Sequence, residues 1–215
     1  MLMAKERQEV ADFGRKMSSQ GLSKGTSGNL SVYNAEVGYM AISPSGMDYS
    51  ATEAADVVVM TLDGEIVSGA RKPSSEHALH AIFYKNKLGA RAVVHSHATF
   101  CTTFACLCMP LCAVHYEIAS AGIYEVPCAE YATFGTPELA ANAVKACGNG
   151  NAVLLASHGL VTCGSSLAAA FATAVSMEFV AEIQWRAMCV GKPVILSEKQ
   201  MKGVFDCFRS YGQPK

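Results

Sequence analysis

The run "DVVVMTLDGEIVSG", from Asp56 to Gly69, constrains the fold more than any other stretch. A β-branched run meets Asp63-Gly64 and is followed by a second β-prone run. That is the signature of a β-hairpin, because Asp-Gly supplies the positive φ that a tight turn between two strands requires. "NLSVYN" and "GYMAIS" form a second short pair of the same kind. Hairpins demand antiparallel pairing, so a wholly parallel sheet is excluded.

Helical patterns lie between and after the strands. Residues 5–19 read as an amphipathic helix stopped by Gly21. "SSEHALHAIFYKN" predicts a helix with Ser74 or Ser75 as N-cap after Pro73. "ARAVVHSH" predicts a strand, and an Ala/Cys-rich helix follows it and ends by Pro110. "LCAVHYEI" reads as another strand. "GTPELAANAVKAC" is a helix with Thr136 as N-cap and Pro137 at the first helical position. "NAVLLASHG" is a strand, with "LVTCG" its continuation or its partner. A long helix and a final one, opened by a Ser197–Gln200 capping box, close the chain. Strands and helices mix without strict alternation. The expected class is α/β, a mainly antiparallel sheet with helices packed on its faces.

Composition limits the partners. About half of the 215 residues are apolar (51%), enough for a sizeable core, and the net charge of −1 offers no nucleic-acid or polybasic membrane surface. The first residues, "MLMAKERQEV", carry charge where a secretory signal needs an apolar run. The apolar segment from Ser166 to Val190 holds Glu178, Glu182 and Arg186, which suits a buried helix better than a membrane span. Nine cysteines are scattered without any C-x-x-C pair, so no thiolate metal site is expected. Free thiols and the absence of an export signal point to a reducing cytoplasm.

The chemistry concentrates at strand ends. In "VVHSHATF", His95 and His97 are two positions apart, so an extended strand turns both rings to one face. His158 ends the apolar run "AVLLAS", and Glu76 lies at the entry of its helix. Three imidazoles and a carboxylate suit a catalytic zinc, and also iron, cobalt or manganese. His77 and His80 compete for that role, since Glu76 and His80 share a helix face. His95, His97 and His158 are preferred because a sheet presents strand-end residues to a cleft. His115 and Tyr116 end a strand in the same way.

Three further loops are rich in neutral donors. "GTSGNLS" carries Thr26, Gly28 and Asn29; "SPSGMDY" carries Ser45 and Gly46; "PSSE" places Ser74 and Ser75 at a helix N-terminus. Free backbone N–H groups in such loops favour anions. Together, with one loop abutting Glu76, they suggest a small phosphorylated substrate spanning loops and metal.

With these blocks, and with "AVHYEIA", "VPCAEYATFGT" and "SHGLV" in order, the chain resembles the class II sugar-phosphate aldolases of the L-fuculose-phosphate aldolase kind over nearly its whole length. The resemblance implies one three-layer αβα domain over residues 1–215. It implies one zinc per subunit on His95, His97 and His158, with Glu76 as fourth ligand and general acid/base. It puts substrate phosphate on Thr26, Gly28, Asn29, Ser45, Gly46, Ser74 and Ser75. Tyr116 of a neighbouring subunit would handle the aldol hydroxyl proton, Phe134 and Tyr211 would face the aldehyde, and the assembly would be a homotetramer. The implied reaction splits a ketose 1-phosphate such as L-fuculose 1-phosphate into dihydroxyacetone phosphate and L-lactaldehyde. Ribulose-5-phosphate 4-epimerase, which carries Asp where this chain has Glu76, a methylthioribulose-phosphate dehydratase and the metal-free adducin head share the fold. Glu117 and Glu130 depart from the pattern on the aldehyde side.

Overall fold

The computed structural model of the chain describes residues 1–210. The Asp63-Gly64 hairpin is present: β3 (Val58–Thr61) pairs with β4 (Ile66–Ser68), and Gly64 closes the turn at φ 97°. The other pair forms as well, β1 (Asn29–Asn34) with β2 (Tyr39–Ile42), and β2 joins β3 antiparallel. β5 (Ala92–Ser96) pairs with the other edge of β1. "LVTCG" proves to be a partner strand: β9 (Ala152–Leu155) turns back into β10 (Gly159–Gly164), which lies between β9 and β5. Two very short strands in between, β6 (Leu111–Cys112) and β7 (Glu125–Val126), pair with each other. β8 (Cys128–Ala129) adds the last strand of the large sheet, parallel to β9. The order is β4-β3-β2-β1-β5-β10-β9-β8, mainly antiparallel with one parallel edge.

Helices cover both faces, which gives an α/β architecture in three layers. α2 (His77–Asn86) and α4 (Pro137–Cys147) pack on one face, where Met60, Phe83, Leu139, Leu155 and Val161 are buried. α1 (Ala4–Ser19), α3 (Thr99–Cys106) and α5 (Leu167–Val190) cover the other around Met17, Leu30, Phe104 and Leu154. α6 (Glu198–Ser210) closes this layer through Met201, and its capping box forms, with the Ser197 N–H donating to Gln200 Oε1 at 2.8 Å. Among the described residues α5 is long and apolar enough to cross a membrane, yet Ala170, Ala174, Met177, Val180 and Ala181 on it have no exposed surface.

Two local expectations fail. α2 starts at His77 with Glu76 in the cap position, not Ser74 or Ser75. The Ser74 N–H is tied to Ser43 O (3.1 Å), and its hydroxyl accepts the N–H of Glu76 (3.2 Å), so Ser74 is spent on a turn. "LCAVHYEI" is not one strand either. β6 stops at Cys112, and a 3₁₀ helix runs from Tyr116 to Ala121 with His115 as its cap, Nδ1 accepting the N–H of Glu117. At the α4 entry the reading holds: Thr136 caps the N–H of Leu139 and Pro137 follows.

Candidate metal centre and cleft

Three chain segments converge at one end of the sheet. β5 delivers His95 and, just past its end, His97. The turn after β9 delivers His158, held by its N–H to Leu155 O and by Ser157 in the left-handed region at φ 54°. Two glycines permit the convergence. A Cβ on Gly28 would come within 2.8 Å of the His95 carbonyl, and one on Gly159 within 2.4 Å of the Ser96 carbonyl. Only a residue without a side chain lets these backbones approach so closely.

His95, His97 and His158 bring their ligating nitrogens within 4.8 Å of one another. His95 and His97 meet Nε2 to Nε2 at 3.1 Å, as their alternation on the strand required. His95 Nδ1 lies 3.0 Å from Leu160 O, which puts the proton on Nδ1 and leaves Nε2 bare toward the cluster. All three rings have pKa values pushed down. For His95 burial is the main cause, then the charges of His158 and His97; for His97 burial, then His158; for His158 burial. Neutral imidazole is the ligating form.

Glu76 completes the group. Its Oε2 is 3.4 Å from His95 Nε2 and its Oε1 3.5 Å from His158 Nε2. Asn29 Nδ2 donates to Oε2 at 2.9 Å, while Oε1 is buried with no hydrogen-bond partner among the described residues. Three ring nitrogens within 4.8 Å of one another and the neighbouring Glu76 carboxylate are grouped here. That donor set fits a divalent transition metal, which would satisfy the orphaned oxygen. The structure brings His95, His97, His158 and Glu76 together. It removes His77 and His80 from the ligand group: His80 is buried and bonded to Asn29 and Ser31, and His77 lies beside Gly64. No cysteine belongs to the group.

A cleft of about 370 Å³ opens above this point. Thr26, Gly28, Asn29, Ser45, Gly46, Ser74 and Ser75 line it with Glu76, His97 and His158. The two Ser-Gly and Ser-Ser loops are stitched to each other, since the Ser45 N–H donates to Lys72 O at 2.9 Å beside the Ser74–Ser43 bond. Phe134 is on the same cleft and exposed. The cleft also contains Ser27, Pro44, Tyr131 and Ser157, which sequence reasoning missed. Tyr131 was signalled only by its place three residues before Phe134.

Tyr116 is not on this cleft. It is half exposed on the 3₁₀ helix, its ring near His115 (4.5 Å) and Phe208 (6.4 Å). Glu117 accepts from Ser176 Oγ at 3.0 Å, away from the cleft, and Glu130 is exposed. Tyr211 lies outside the described residues.

The chain matches the family described as Class II Aldolase and Adducin N-terminal domain over residues 8–185. It is 45% identical to a 5-deoxy-D-ribulose 1-phosphate aldolase of Bacillus thuringiensis serovar kurstaki, over 99% of this chain and all of that protein. It is 40% identical to a 5-methylthioribulose-1-phosphate/5-deoxyribulose-1-phosphate aldolase of Rhodospirillum rubrum, over 96% and 92% of the two chains. A solved structure of an L-fuculose 1-phosphate aldolase superposes with a TM-score of 0.94 at 42% identity, covering 97% of this chain and 98% of that one.

Proposed function

The chain belongs to the class II aldolase family and is an aldolase, and we propose that it cleaves a 1-phosphorylated deoxyketose into dihydroxyacetone phosphate and a short aldehyde. The observation that carries this reading is the orphaned Glu76 Oε1, beside His158 in a cluster of three neutral imidazoles, in a cleft lined by Ser/Thr/Gly loops. His95, His97, His158 and Glu76 would hold the metal, and zinc is the ion proposed from this donor set. A divalent ion there supplies Lewis-acid stabilisation of negative charge on the substrate oxygens.

The chain's own groups do the rest. Thr26, Gly28, Asn29, Ser45, Gly46, Ser74 and Ser75 bind the phosphate with neutral donors, so each bond is charge-assisted. Cleavage leaves the electron pair of the C3–C4 bond on C3 of the three-carbon half. Glu76, once it has taken up a proton from solvent, gives it to that carbon, and in the condensation direction its carboxylate removes the same proton. Tyr116 takes the C4 hydroxyl proton as its own phenolic proton passes to solvent; since it is off the cleft of its own chain, a neighbouring subunit's Tyr116 serves each site, within a homotetramer. Phe134 and Tyr131 border the side left for the aldehyde.

The substrate proposed first is 5-deoxyribulose 1-phosphate, which two relatives carry in their names. Five carbons less three leave acetaldehyde. L-Fuculose 1-phosphate, leaving L-lactaldehyde, is the second reading, favoured by the close superposition on an L-fuculose 1-phosphate aldolase. Zinc-loaded protein is incubated with dihydroxyacetone phosphate and each aldehyde in turn, and condensation rates are compared. Faster condensation with acetaldehyde supports the first substrate and faster condensation with L-lactaldehyde the second. No condensation with any short aldehyde would overturn the proposal.

A further inference from the structure

We propose that His80 is a positioning residue: through Asn29 it sets which end of the Asn29 amide faces Glu76 and the cleft. For its kinetic consequence the inference rests on the aldolase reading above. The structural part stands alone.

The observation is an unbroken chain of buried side chains between α2 and β1. Glu76, His80 and Tyr84 recur every fourth residue and so share one helical face. Asn29 and Ser31 alternate on one face of β1. The two rows interlock. Tyr84 OH lies 2.5 Å from Ser31 Oγ, and Ser31 Oγ lies 2.6 Å from His80 Nδ1. His80 Nε2 lies 2.5 Å from Asn29 Oδ1, and Asn29 Nδ2 lies 2.9 Å from Glu76 Oε2. All five residues are buried, at most 8% exposed.

Donor and acceptor inventories then assign each proton. Glu76, as a carboxylate, only accepts, so the Asn29 group facing it is the NH₂. The Asn29 oxygen therefore faces His80 and only accepts, so His80 Nε2 carries the hydrogen. Burial pushes the His80 pKa down to about 3, with the charge of His95 next, so the ring has one proton and Nδ1 accepts. Ser31 must then donate to Nδ1 and accept from Tyr84. Every link depends on His80 donating at Nε2. Without that donor the amide is held at its Glu76 end alone, and the flipped amide, which would set the Asn29 oxygen against the Glu76 carboxylate and turn an acceptor toward the phosphate loops, loses one of the two contacts that disfavour it. The alternative, a core histidine that merely ties helix to strand, has no stake in which ring nitrogen holds the proton.

The test begins with ¹⁵N-histidine labelling of the zinc-loaded protein, the His80 signals being assigned by their loss in His80→Gln. Protonated Nε2 with bare Nδ1 is expected, and an Nδ1-protonated ring would overturn the proposal. Kinetics follow. His80→Leu is expected to lower kcat for ketose phosphate cleavage by about tenfold or more, the scale of groups that orient catalytic residues from behind. His80→Gln, which can still donate to Asn29 Oδ1, is expected to regain most of that loss at unchanged zinc content. Equal loss in both variants, or loss in neither, would overturn the positioning role. Should His80→Leu fail to fold, the ring tautomer and the Gln variant still decide. Should the wild type cleave no ketose phosphate, the aldolase reading falls, while the tautomer still judges the His80–Asn29 link.

Discussion

Glu76 Oε1 lies 3.5 Å from His158 Nε2, and among the described residues no hydrogen bond satisfies that oxygen. A buried acceptor facing a neutral ring nitrogen is costly, roughly 1–3 kcal/mol for an unmet polar group and more for a charged one, unless a cation lies between. The expected content is about one transition metal per chain. Chelation should abolish aldol cleavage and zinc should restore it, followed by metal analysis of each sample. Full activity in metal-free protein would remove the basis of the proposed chemistry.

Acid should destabilise the metal-free protein. The pKa of His80 is pushed down to about 3, and those of His95, His97 and His158 are pushed down too, burial being the main cause in each. Below the ordinary value of 6.5 the unfolded chain takes up protons that the folded chain refuses. The contribution of these groups is therefore fully present above pH 6.5 and is lost as pH falls from there toward the depressed folded values. Melting temperatures of metal-free protein should drop steadily below that pH, and the drop should be shallower in His80→Gln. A flat profile down to pH 4 would contradict the buried neutral rings.

Where local chemistry determined the outcome, the sequence was enough. The Asp63-Gly64 turn, the Thr136-Pro137 helix start and the two-residue spacing of His95 and His97 each follow from rules within a few residues, and each is found. Long-range contacts decided the failures. Ser74 has the right composition for an N-cap, but its N–H is bonded to Ser43 on the loop after β2. "LCAVHYEI" has strand-like content, but a run this short is ambiguous, and the His115 side chain caps a 3₁₀ turn instead. The His80–Asn29 contact was hidden for the same reason: the helix spacing was visible, its partner strand was not. His80 was accordingly weighed as a rival metal ligand.

Glu76 and Tyr116 should separate two proton transfers. Glu76 is at the cleft floor and Tyr116 is off it. Exchange of the dihydroxyacetone phosphate C3 proton with solvent needs only the base, so Glu76→Gln should stop it. Tyr116→Phe should keep exchange yet lose condensation with aldehyde. Proton NMR in heavy water reads both rates, and equal loss of exchange in the two variants would refute the division.

Subunit mixing tests where Tyr116 acts. If it serves a neighbour's cleft, inactive Glu76→Gln and inactive Tyr116→Phe chains should regain activity when reassembled together, because some sites then pair an intact base with an intact tyrosine. Light scattering should show a homotetramer. A fully active monomer would place the second proton transfer on some other residue.

Ser75→Ala tests the phosphate loops. Ser75 is exposed on the cleft next to Glu76, and among the described residues its hydroxyl makes no bond comparable to that of Ser74, whose oxygen holds the Glu76 N–H. A neutral hydroxyl donating to a phosphate dianion makes a charge-assisted bond, worth roughly 1.5–3 kcal/mol. Losing it should weaken phosphorylated substrate by about tenfold or more on that scale. Unphosphorylated dihydroxyacetone never reaches the loop and should be affected little. If phosphate binding also holds the reacting carbons over the metal, part of the loss should fall on kcat rather than KM alone. Steady-state kinetics of both proteins on both ketones give the answer. An equal penalty on the two ketones would mean that Ser75 shapes the loop and that the phosphate binds elsewhere.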